Sequence, residues 1–132
     1  MRLEQNDELA ASYVQHFLGV DIRGTPWVGL VIWGDTGVKG AVIFNDYANG
    51  NIEMTGVGKG CWSPTIIRSL ARYVFRQLGC RRVTARTSVS NRAAKRALMA
   101  MGFQYEGRMR EWFGHEDAMV YGLLRREQRL VR

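Results

Sequence analysis

The sequence predicts an α/β (α+β) protein, with a mixed and mostly antiparallel sheet flanked by helices. Two observations carry this prediction. Three segments have apolar residues at helical spacing behind good N-cap residues, and six shorter runs have the alternation or β-branched content of strands. The predicted order is helix, three strands, helix, strand, helix, two strands. With 132 residues, the chain is expected to form a single domain over residues 1–132.

The first predicted helix begins with Asn6 or Asp7 as its N-cap and runs to about Leu18, where Gly19 ends it. A short linker, residues 20–26, leads to the first predicted strand. Residues 27–33 (WVGLVIW) and 38–44 (VKGAVIF), joined by the turn at 34–37, predict a β-hairpin. Residues 45–51 are dense in turn formers, and residues 52–57 predict a third strand.

The second predicted helix has a strong start signal, with Ser63 as N-cap and Pro64 at the first helical position. It is expected to stop at Gly79. One broad stripe of this helix is apolar: Ile66, Ile67, Leu70, Val74, Phe75 and Leu78. Opposite this stripe, an arginine recurs every fourth residue at 68, 72 and 76, as expected for a solvated helix face.

The last third of the chain predicts a strand over residues 82–87 and then a helix capped by Asn91. Ala94, Leu98 and Met101 lie on one side of this helix, and Gly102 ends it. Residues 103–113 predict a long strand, 114–117 a turn, and 118–124 a closing strand.

A net charge of +7, from 19 Lys and Arg against 12 Asp and Glu, favours association with an anion. A phosphorylated cofactor, an acidic protein surface and nucleic acid all remain open on charge alone. The basic residues are scattered, including a C-terminal tail at 125–132, and no aromatic stacking motif is interleaved with them. We therefore do not expect a nucleic-acid partner.

The N-terminus lacks a secretory pattern, and the longest apolar run, residues 27–33, is far short of the ~20 residues that span a bilayer. We expect a soluble, cytoplasmic protein without a membrane partner. Cys61 and Cys80 form no metal-ligand spacing with His16 or His115, so we predict reduced thiols and no metal site.

A glycine-rich loop at residues 56–60 (GVGKG) stands between a predicted strand and a helix N-terminus. Unpaired backbone N–H groups and the positive end of the helix dipole converge at such a place, which makes it a candidate anion site. A loop that needs glycine only for its turn is the alternative. The loop matches neither the nucleotide P-loop nor the dinucleotide fingerprint.

From residue 52 to about 126, the chain resembles the cofactor-binding half of the GNAT acetyltransferases, most closely the ribosomal-protein N-terminal acetyltransferases and short phage-encoded members. Thr55, Gly58 and Gly60 match the family's phosphate loop, Q/R-x-x-G-x-G/A. Residues 91–103 are similar to the pattern N-x-x-A-x-x-L-Y-x-x-x-G-F, and residues 105–127 to the family's closing hairpin. Several matches in the right order are more specific than any single motif.

The resemblance implies acetyl-CoA as cofactor, an amine as acceptor (a small molecule or a protein), and a GNAT fold. It assigns cofactor binding to two segments: Met54, Thr55, Val57, Gly58, Lys59, Gly60, Cys61 and Trp62 in the first, and Asn91 and Ala94 in the second. Two departures stand out. Position 55 lacks the family's Gln or Arg, and Leu98 stands where a catalytic tyrosine is common.

The implied reaction is direct attack of the amine on the thioester, with strand backbone N–H groups holding the carbonyl. Glu53 is the predicted base. Ser90 is the first choice as acid for the departing thiolate, with Tyr105 or water as alternatives. Structural roles remain open for both Glu53 and Ser90. A covalent acyl-Cys61 is a rival mechanism, to which we prefer a packing role for this thiol.

Two other functions stay open: a catalytically weak or inactive GNAT-fold module for CoA or protein binding, and a nucleic-acid-binding protein. The tryptophans at 27, 33 and 112 are expected to pack in the core, with an acceptor groove or a homodimer contact as the alternative.

Overall fold

The computed structural model describes residues 1–19 and 26–131, which contain seven strands and three α-helices. The strands are β1 (Arg2–Gln5), β2 (Trp27–Gly34), β3 (Gly37–Ala48), β4 (Asn51–Gly58), β5 (Arg82–Ser88), β6 (Gln104–Met109) and β7 (Ala118–Leu124). The helices are α1 (Asp7–Leu18), α2 (Pro64–Arg72) and α3 (Arg92–Ala100). Most of the predicted linker, residues 20–25, and the last residue of the basic tail lie outside the described residues.

The strands form one sheet in the order β1-β2-β3-β4-β5-β7-β6. Every neighbouring pair is antiparallel except β4 and β5, which are parallel and are joined through α2. Helix α1 covers one face of the sheet, and α2 and α3 pack on the other. The predicted fold class, a mostly antiparallel mixed sheet flanked by helices, is confirmed.

Helix α1 begins and ends as predicted. The Asn6 side chain accepts a hydrogen bond from the Leu9 N–H at 3.2 Å, and Gly19 closes the helix in the left-handed conformation. The Asp7 carboxylate accepts from the Gly29 N–H at 2.9 Å, which ties the start of α1 to β2. Strand β1 was not predicted, because its four residues, RLEQ, have no apolar alternation; its pairing with β2 is what defines it.

The first hairpin, β2 and β3, is confirmed. The turn predicted over residues 45–51 is wrong in extent, because β3 continues to Ala48 and only Asn49 and Gly50 turn. The register shifts between Asn45 and Ala48, so the strand accommodates its turn-forming residues through a β-bulge. Strand β4 extends by one residue at each end beyond the predicted 52–57.

Helix α2 begins at the predicted cap, where the Ser63 hydroxyl accepts from the Ile66 N–H at 3.3 Å. The predicted helix to Gly79 is only partly α-helical. Residues Tyr73–Gln77 form a π-helical segment, in which the Leu78 N–H donates to the Tyr73 carbonyl at 2.9 Å. The arginines at 68, 72 and 76 are exposed, as predicted for a solvated face.

The strand predicted over residues 103–113 is too long. Strand β6 ends at Met109, and the chain then turns through residues 110–113, where Glu111 has a positive φ of 52°. Strands β5 and β7 and helix α3 lie where the sequence predicts them.

Two apolar cores fill the spaces between layers. The larger lies under α2 and α3 and includes Ile32, Phe44 and Phe75. The smaller lies under α1 and includes Val14, Val31 and Ile43. Because β4 is sandwiched between them, alternate residues of this strand face different helices. None of the helices in the described ranges is long and apolar enough to cross a membrane.

Candidate active site

The sheet splits where its two parallel strands part. β4 and β5 pair from Asn51 with Arg82 to Met54 with Ala85, and no pair beyond that point joins them within the described residues. β4 nevertheless continues on β3 to Gly58, and β5 continues on β7 to Ser88. The facing backbones of residues 55–58 and 86–88 therefore border a cleft, with N–H and C=O groups directed into it instead of into a ladder.

Helix N-termini follow both strands that border this cleft. Lys59 and Gly60 are exposed in the loop before α2, and Gly60 has a φ of 66° and open space where a side chain would project. The Ser63 cap occupies the Ile66 N–H, and Pro64 has no N–H. The loop backbone before Ser63 is thus the main source of donors for an anion at this end of the cleft.

The glycines of β4 allow close packing on the α2 face. The Trp62 ring lies over Gly56, where an added Cβ would be 2.9 Å from it. The Cys61 side chain lies against Gly58 and Gly40 and is fully buried, and burial raises the pKa of its thiol. Cys61 therefore has the packing role preferred from the sequence, and its geometry does not favour the rival acyl-cysteine.

The second wall is the start of α3. The Asn91 carboxamide oxygen accepts from the Ala94 N–H at 3.0 Å, so Asn91 is the helix cap that the sequence predicts. Lys95 donates to the Val89 carbonyl at 2.8 Å and so ties the loop before α3 to the first turn of the helix. Ala94 is half-buried on the first turn of this helix.

Ser90 belongs to a small hydroxyl network. Its hydroxyl lies 3.1 Å from that of Ser88, and Ser88 donates to Glu116 at 2.6 Å. These hydrogen bonds, first that from Ser88 and then that from Ser90, lower the pKa of Glu116. Ser90 is exposed, so its hydroxyl is open to a bound molecule while it lies beside Ser88 and the Glu116 carboxylate.

Glu53 lies on the α1 face of β4, since Ile52 and Met54 on either side belong to the opposite core. An Arg86 nitrogen, Nη2, lies 2.6 Å from Glu53 Oε1, and both side chains are about one-fifth exposed. The hydrogen bond from Arg86 lowers the pKa of Glu53. Arg86 is the first residue of β5 beyond the split, so this ion pair closes the base of the cleft.

Arg86 is held from its other side by the loop between β6 and β7. Its guanidinium lies 4.7 Å from the centre of the half-exposed Trp112 ring, and Nε donates to Met109 Sδ at 3.4 Å. Trp112 and Met109 also line a surface depression with Asp117. The predicted core packing is therefore wrong for Trp112, which is half exposed. Trp27 and Trp33 do pack against the core under α1.

Asp46 joins this group from the bulge in β3. Its carboxyl group lies beside that of Glu53, close enough for a hydrogen bond when one of the two is protonated, although the residue as a whole is exposed and has a positive φ of 53°. Desolvation, this hydrogen bond and the charge of Glu53 raise the pKa of Asp46, and Arg86 opposes the rise. We call Asp46, Glu53, Arg86 and Trp112 the Glu53 cluster.

Of these four residues, the sequence singled out Glu53 as the candidate base, and Trp112 only through the alternative of an acceptor groove or a homodimer contact. Arg86 could have been found from alternation, because it follows Thr84 on the β5 face that Glu53 shares. Asp46 could not, because turn-forming composition masks the bulge that directs it.

The Leu98 side chain is buried in the larger core, against α2 and the sheet. It offers no polar group to the cleft. Tyr105 is exposed on β6, and its ring packs edge-on against Tyr121 with centroids 5.7 Å apart. Among the described residues, no group of three or more His, Cys, Asp or Glu side chains is placed to hold a metal ion.

Several solved structures that superpose on this chain are acetyltransferases. A point mutant of spermidine N-acetyltransferase SpeG from Vibrio cholerae superposes with a TM-score of 0.69 at 14% identity, over 94% of this chain and 95% of that chain. A GNAT-family acetyltransferase from Bacillus anthracis gives a TM-score of 0.61 at 18% identity, over 76% and 67%. The chain has the GNAT fold.

The likeness extends to a dodecameric spermidine N-acetyltransferase from Vibrio cholerae in an intermediate state, with a TM-score of 0.71 at 14% identity over 93% of this chain and 92% of that one. No protein-family model and no curated protein sequence matches the chain. At these identities the structural likeness establishes the fold alone, and function is argued from the site.

Proposed function

We propose that this protein is an acetyl-CoA-dependent N-acetyltransferase that transfers an acetyl group directly to an amine. The observation that carries the proposal is the cleft between β4 and β5, which has unpaired backbone on both sides and a helix N-terminus beyond each strand. Such a cleft suits a long, narrow ligand with a phosphate at one end and a carbonyl at the other.

The residues beside the cleft fit acetyl-CoA. The exposed loop at Lys59 and Gly60 supplies backbone N–H groups, a positive charge and open space for a pyrophosphate. Trp62, over Gly56, offers an apolar wall for the pantetheine arm, and the capped start of α3 borders the other side. When bound, acetyl-CoA supplies the acetyl group as a thioester.

The chain's own groups then have distinct tasks. Backbone N–H groups of β4 beyond Met54 donate to the carbonyl oxygen as it becomes negative, which is typically worth a few kcal/mol. The carboxylate pair of Glu53 and Asp46 assists removal of the amine proton. The Ser90 hydroxyl, backed by Ser88 and Glu116, is the proposed proton donor to the departing sulfur.

The acceptor is an amine, from a small molecule or a protein. Spermidine is acetylated by the similarly folded SpeG, so it belongs in any panel of acceptors. The net charge of +7 works against a polycation, however, and favours an acceptor with acidic groups near its amine. A homodimer contact through Trp112 stays a prediction, as does a cytoplasmic location.

A GNAT-fold module that binds CoA without catalysis is the second candidate. The observation in its favour is Leu98, which fills the core where the resemblance leads one to expect a catalytic tyrosine. Nucleic-acid binding has less support, because the exposed arginines of α2 stand on a helix face without aromatic neighbours suited to stacking.

Two measurements test the proposal. Saturating acetyl-CoA should raise the melting temperature, since ligand that binds only the folded state stabilises it, and no shift would exclude both CoA-dependent candidates. Thiol release with a panel of amines and acidic peptides should then separate the enzyme from the binding module. Release that stays at the rate of spontaneous hydrolysis for every acceptor would favour the non-catalytic module.

A further inference from the structure

The bulge in β3 has a specific geometric effect. Asn45 pairs with Glu53 and Ala48 pairs with Asn51, so Asp46 and Tyr47 together stand opposite the single residue Ile52. A regular strand would direct Asp46 to the face opposite that of Asn45 and Glu53. The bulge, with Asp46 at positive φ, brings its carboxyl group to Glu53 instead.

A positive φ is uncommon for a residue other than glycine and carries an energetic cost, although aspartate tolerates it better than most residues. Bulges occur often beside active sites, where they redirect a side chain. The chain therefore maintains an unfavourable backbone conformation that has one visible result, the pairing of two carboxyl groups at the base of the cleft.

The two carboxyl groups differ in what can reach them. Glu53 Oε1 is bound by Arg86, and its side chain is 20% exposed. Asp46 is exposed, and its partner among the described charged groups is Glu53 itself. An amine that enters from solvent meets Asp46 first, whereas it would have to displace a guanidinium to reach the bound oxygen of Glu53.

We propose that Asp46 is the catalytic residue that takes the proton from the acceptor amine, and that Glu53, fixed by Arg86, holds Asp46 in place. This inference rests on the proposed function and names the group at the same site that performs its first step. The described charged groups that act on Asp46 are Glu53 from β4, which favours its protonated form, and Arg86 from β5, which opposes it.

The step balances as follows. The ammonium gives one proton to the Asp46 carboxylate, and the amine lone pair forms the N–C bond to the thioester carbon. The C–S bond breaks, the Ser90 hydroxyl gives its proton to the thiolate, and Ser90 is reprotonated by the second proton that the nitrogen must lose. Asp46 then returns its proton to solvent. When Asp46 is protonated, its O–H donates to Glu53, which stabilises the proton-bearing state during turnover.

The test compares three variants by thiol release across pH, with an acceptor amine identified from the panel. Asp46→Asn should lower kcat/KM about 10²-fold. It should also remove the acidic limb of the pH profile, which is the fall in kcat/KM at low pH as the general base becomes protonated. Asparagine tolerates positive φ well, so this variant should fold. Asp35→Asn, in the exposed turn between β2 and β3, is the matched control and should retain wild-type rates.

Glu53→Gln separates the two roles. It removes the negative charge that raises the pKa of Asp46, so the acidic limb should persist and move to lower pH. The opposite result is that Asp46→Asn keeps the wild-type pH profile of kcat/KM while Glu53→Gln loses its acidic limb. That result would make Glu53 the base and would overturn this inference but not the proposed function. If the wild-type protein fails to release thiol with every acceptor in the panel, the proposed function is overturned as well.

A second measurement does not depend on turnover. Carbon-detected NMR titration of the side-chain carboxyl groups should show Asp46 titrating above the ordinary range of aspartate and Glu53 below that of glutamate. In Glu53→Gln, the Asp46 midpoint should fall. If the Asp46 midpoint is the same in the wild type and in Glu53→Gln, the two carboxyl groups are not coupled and the inference fails.

Discussion

The Arg86 guanidinium donates to the Glu53 carboxylate at 2.6 Å from the opposite side of the split between β4 and β5. The two residues belong to strands that are hydrogen-bonded neighbours only up to Met54 and Ala85. Among the described residues, their ion pair is the last side-chain link between the two strands before the cleft opens. It spans the two halves of the sheet at the place where backbone pairing no longer holds them together.

We expect the Arg86–Glu53 pair to make stability depend on pH in a defined direction. Because Arg86 lowers the folded-state pKa of Glu53, the pair contributes its stability above the unfolded pKa of glutamate, about 4.3. This contribution is lost as pH falls through the lower folded-state value. Arg86→Met should therefore reduce the melting temperature at pH 7 and have a smaller effect near pH 3.

Thermal melts of wild type and Arg86→Met at both pH values measure this difference. Arg68→Met, on the exposed face of α2, is the control and should change neither melt. An equal loss for Arg86→Met at pH 7 and pH 3 would mean that the side chain acts through packing on Trp112 and not through Glu53.

Two glycines of the loop at residues 56–60, Gly58 and Gly60, should respond differently to substitution by alanine. At Gly58, which has a φ of 144°, a Cβ would lie 2.5 Å from the Lys39 carbonyl oxygen. Gly58→Ala should therefore lower the free energy of unfolding by more than about 2 kcal/mol, because the backbone of β3 or β4 must move to make room. At Gly60 an added Cβ would lie in open space. Gly60→Ala should therefore lower the free energy of unfolding by only about 1–2 kcal/mol, because alanine disfavours the left-handed conformation.

Urea unfolding measures both costs, and acetyl-CoA titration of the Gly60→Ala protein tests the loop as a ligand site. If Gly60 borders the pyrophosphate, affinity for acetyl-CoA should fall more than affinity for a short thioester without a nucleotide. Equal losses for the two ligands would move the phosphate site elsewhere.

Leu98 and Met99 form a matched pair on α3, one buried and one exposed. Leu98 is 7% exposed and packs in the larger core, whereas Met99 is 63% exposed. Leu98→Ala should destabilise the protein by about 2–5 kcal/mol. Met99→Ala should change stability by less than about 0.5 kcal/mol. A small effect of Leu98→Ala in chemical unfolding would contradict its core position and reopen a role toward the cleft.

The two cysteines should resist labelling in the folded protein. Both are fully buried, and burial raises the pKa of each thiol, so little thiolate is available to react. A chromogenic disulfide reagent should therefore modify neither thiol on the time scale of minutes at pH 8, and should modify both in denaturant. Rapid labelling of Cys61 alone would revive the acyl-cysteine mechanism.

The sequence predicted what local chemistry decides. Asn6, Ser63 and Asn91 cap the three helices as expected, because capping depends on residues within one turn. The apolar runs at β2 and β3 likewise define their own hairpin. The glycine-rich loop at residues 56–60 and its flanking strand and helix could be located for the same reason.

The sequence did not predict features that depend on a distant partner. Strand β1 exists because β2 presents a free edge to it, and four residues with one apolar side chain, Leu3, give no sign of this. The π-helical turn at Tyr73–Gln77 and the end of β6 at Met109 are also set by packing and pairing and not by propensity. The Glu53 cluster combines residues from three strands and a loop, so its membership required the fold.

The cleft between β4 and β5 is bordered mainly by main-chain groups, which every residue carries. Substitutions alter side chains, so many of them can accumulate while the main-chain groups that border the cleft stay in place. The side chains of the Glu53 cluster can change one residue at a time. The two halves of such a protein should diverge at different rates. The side chains of the Glu53 cluster are therefore freer to change than the main-chain border of the cleft.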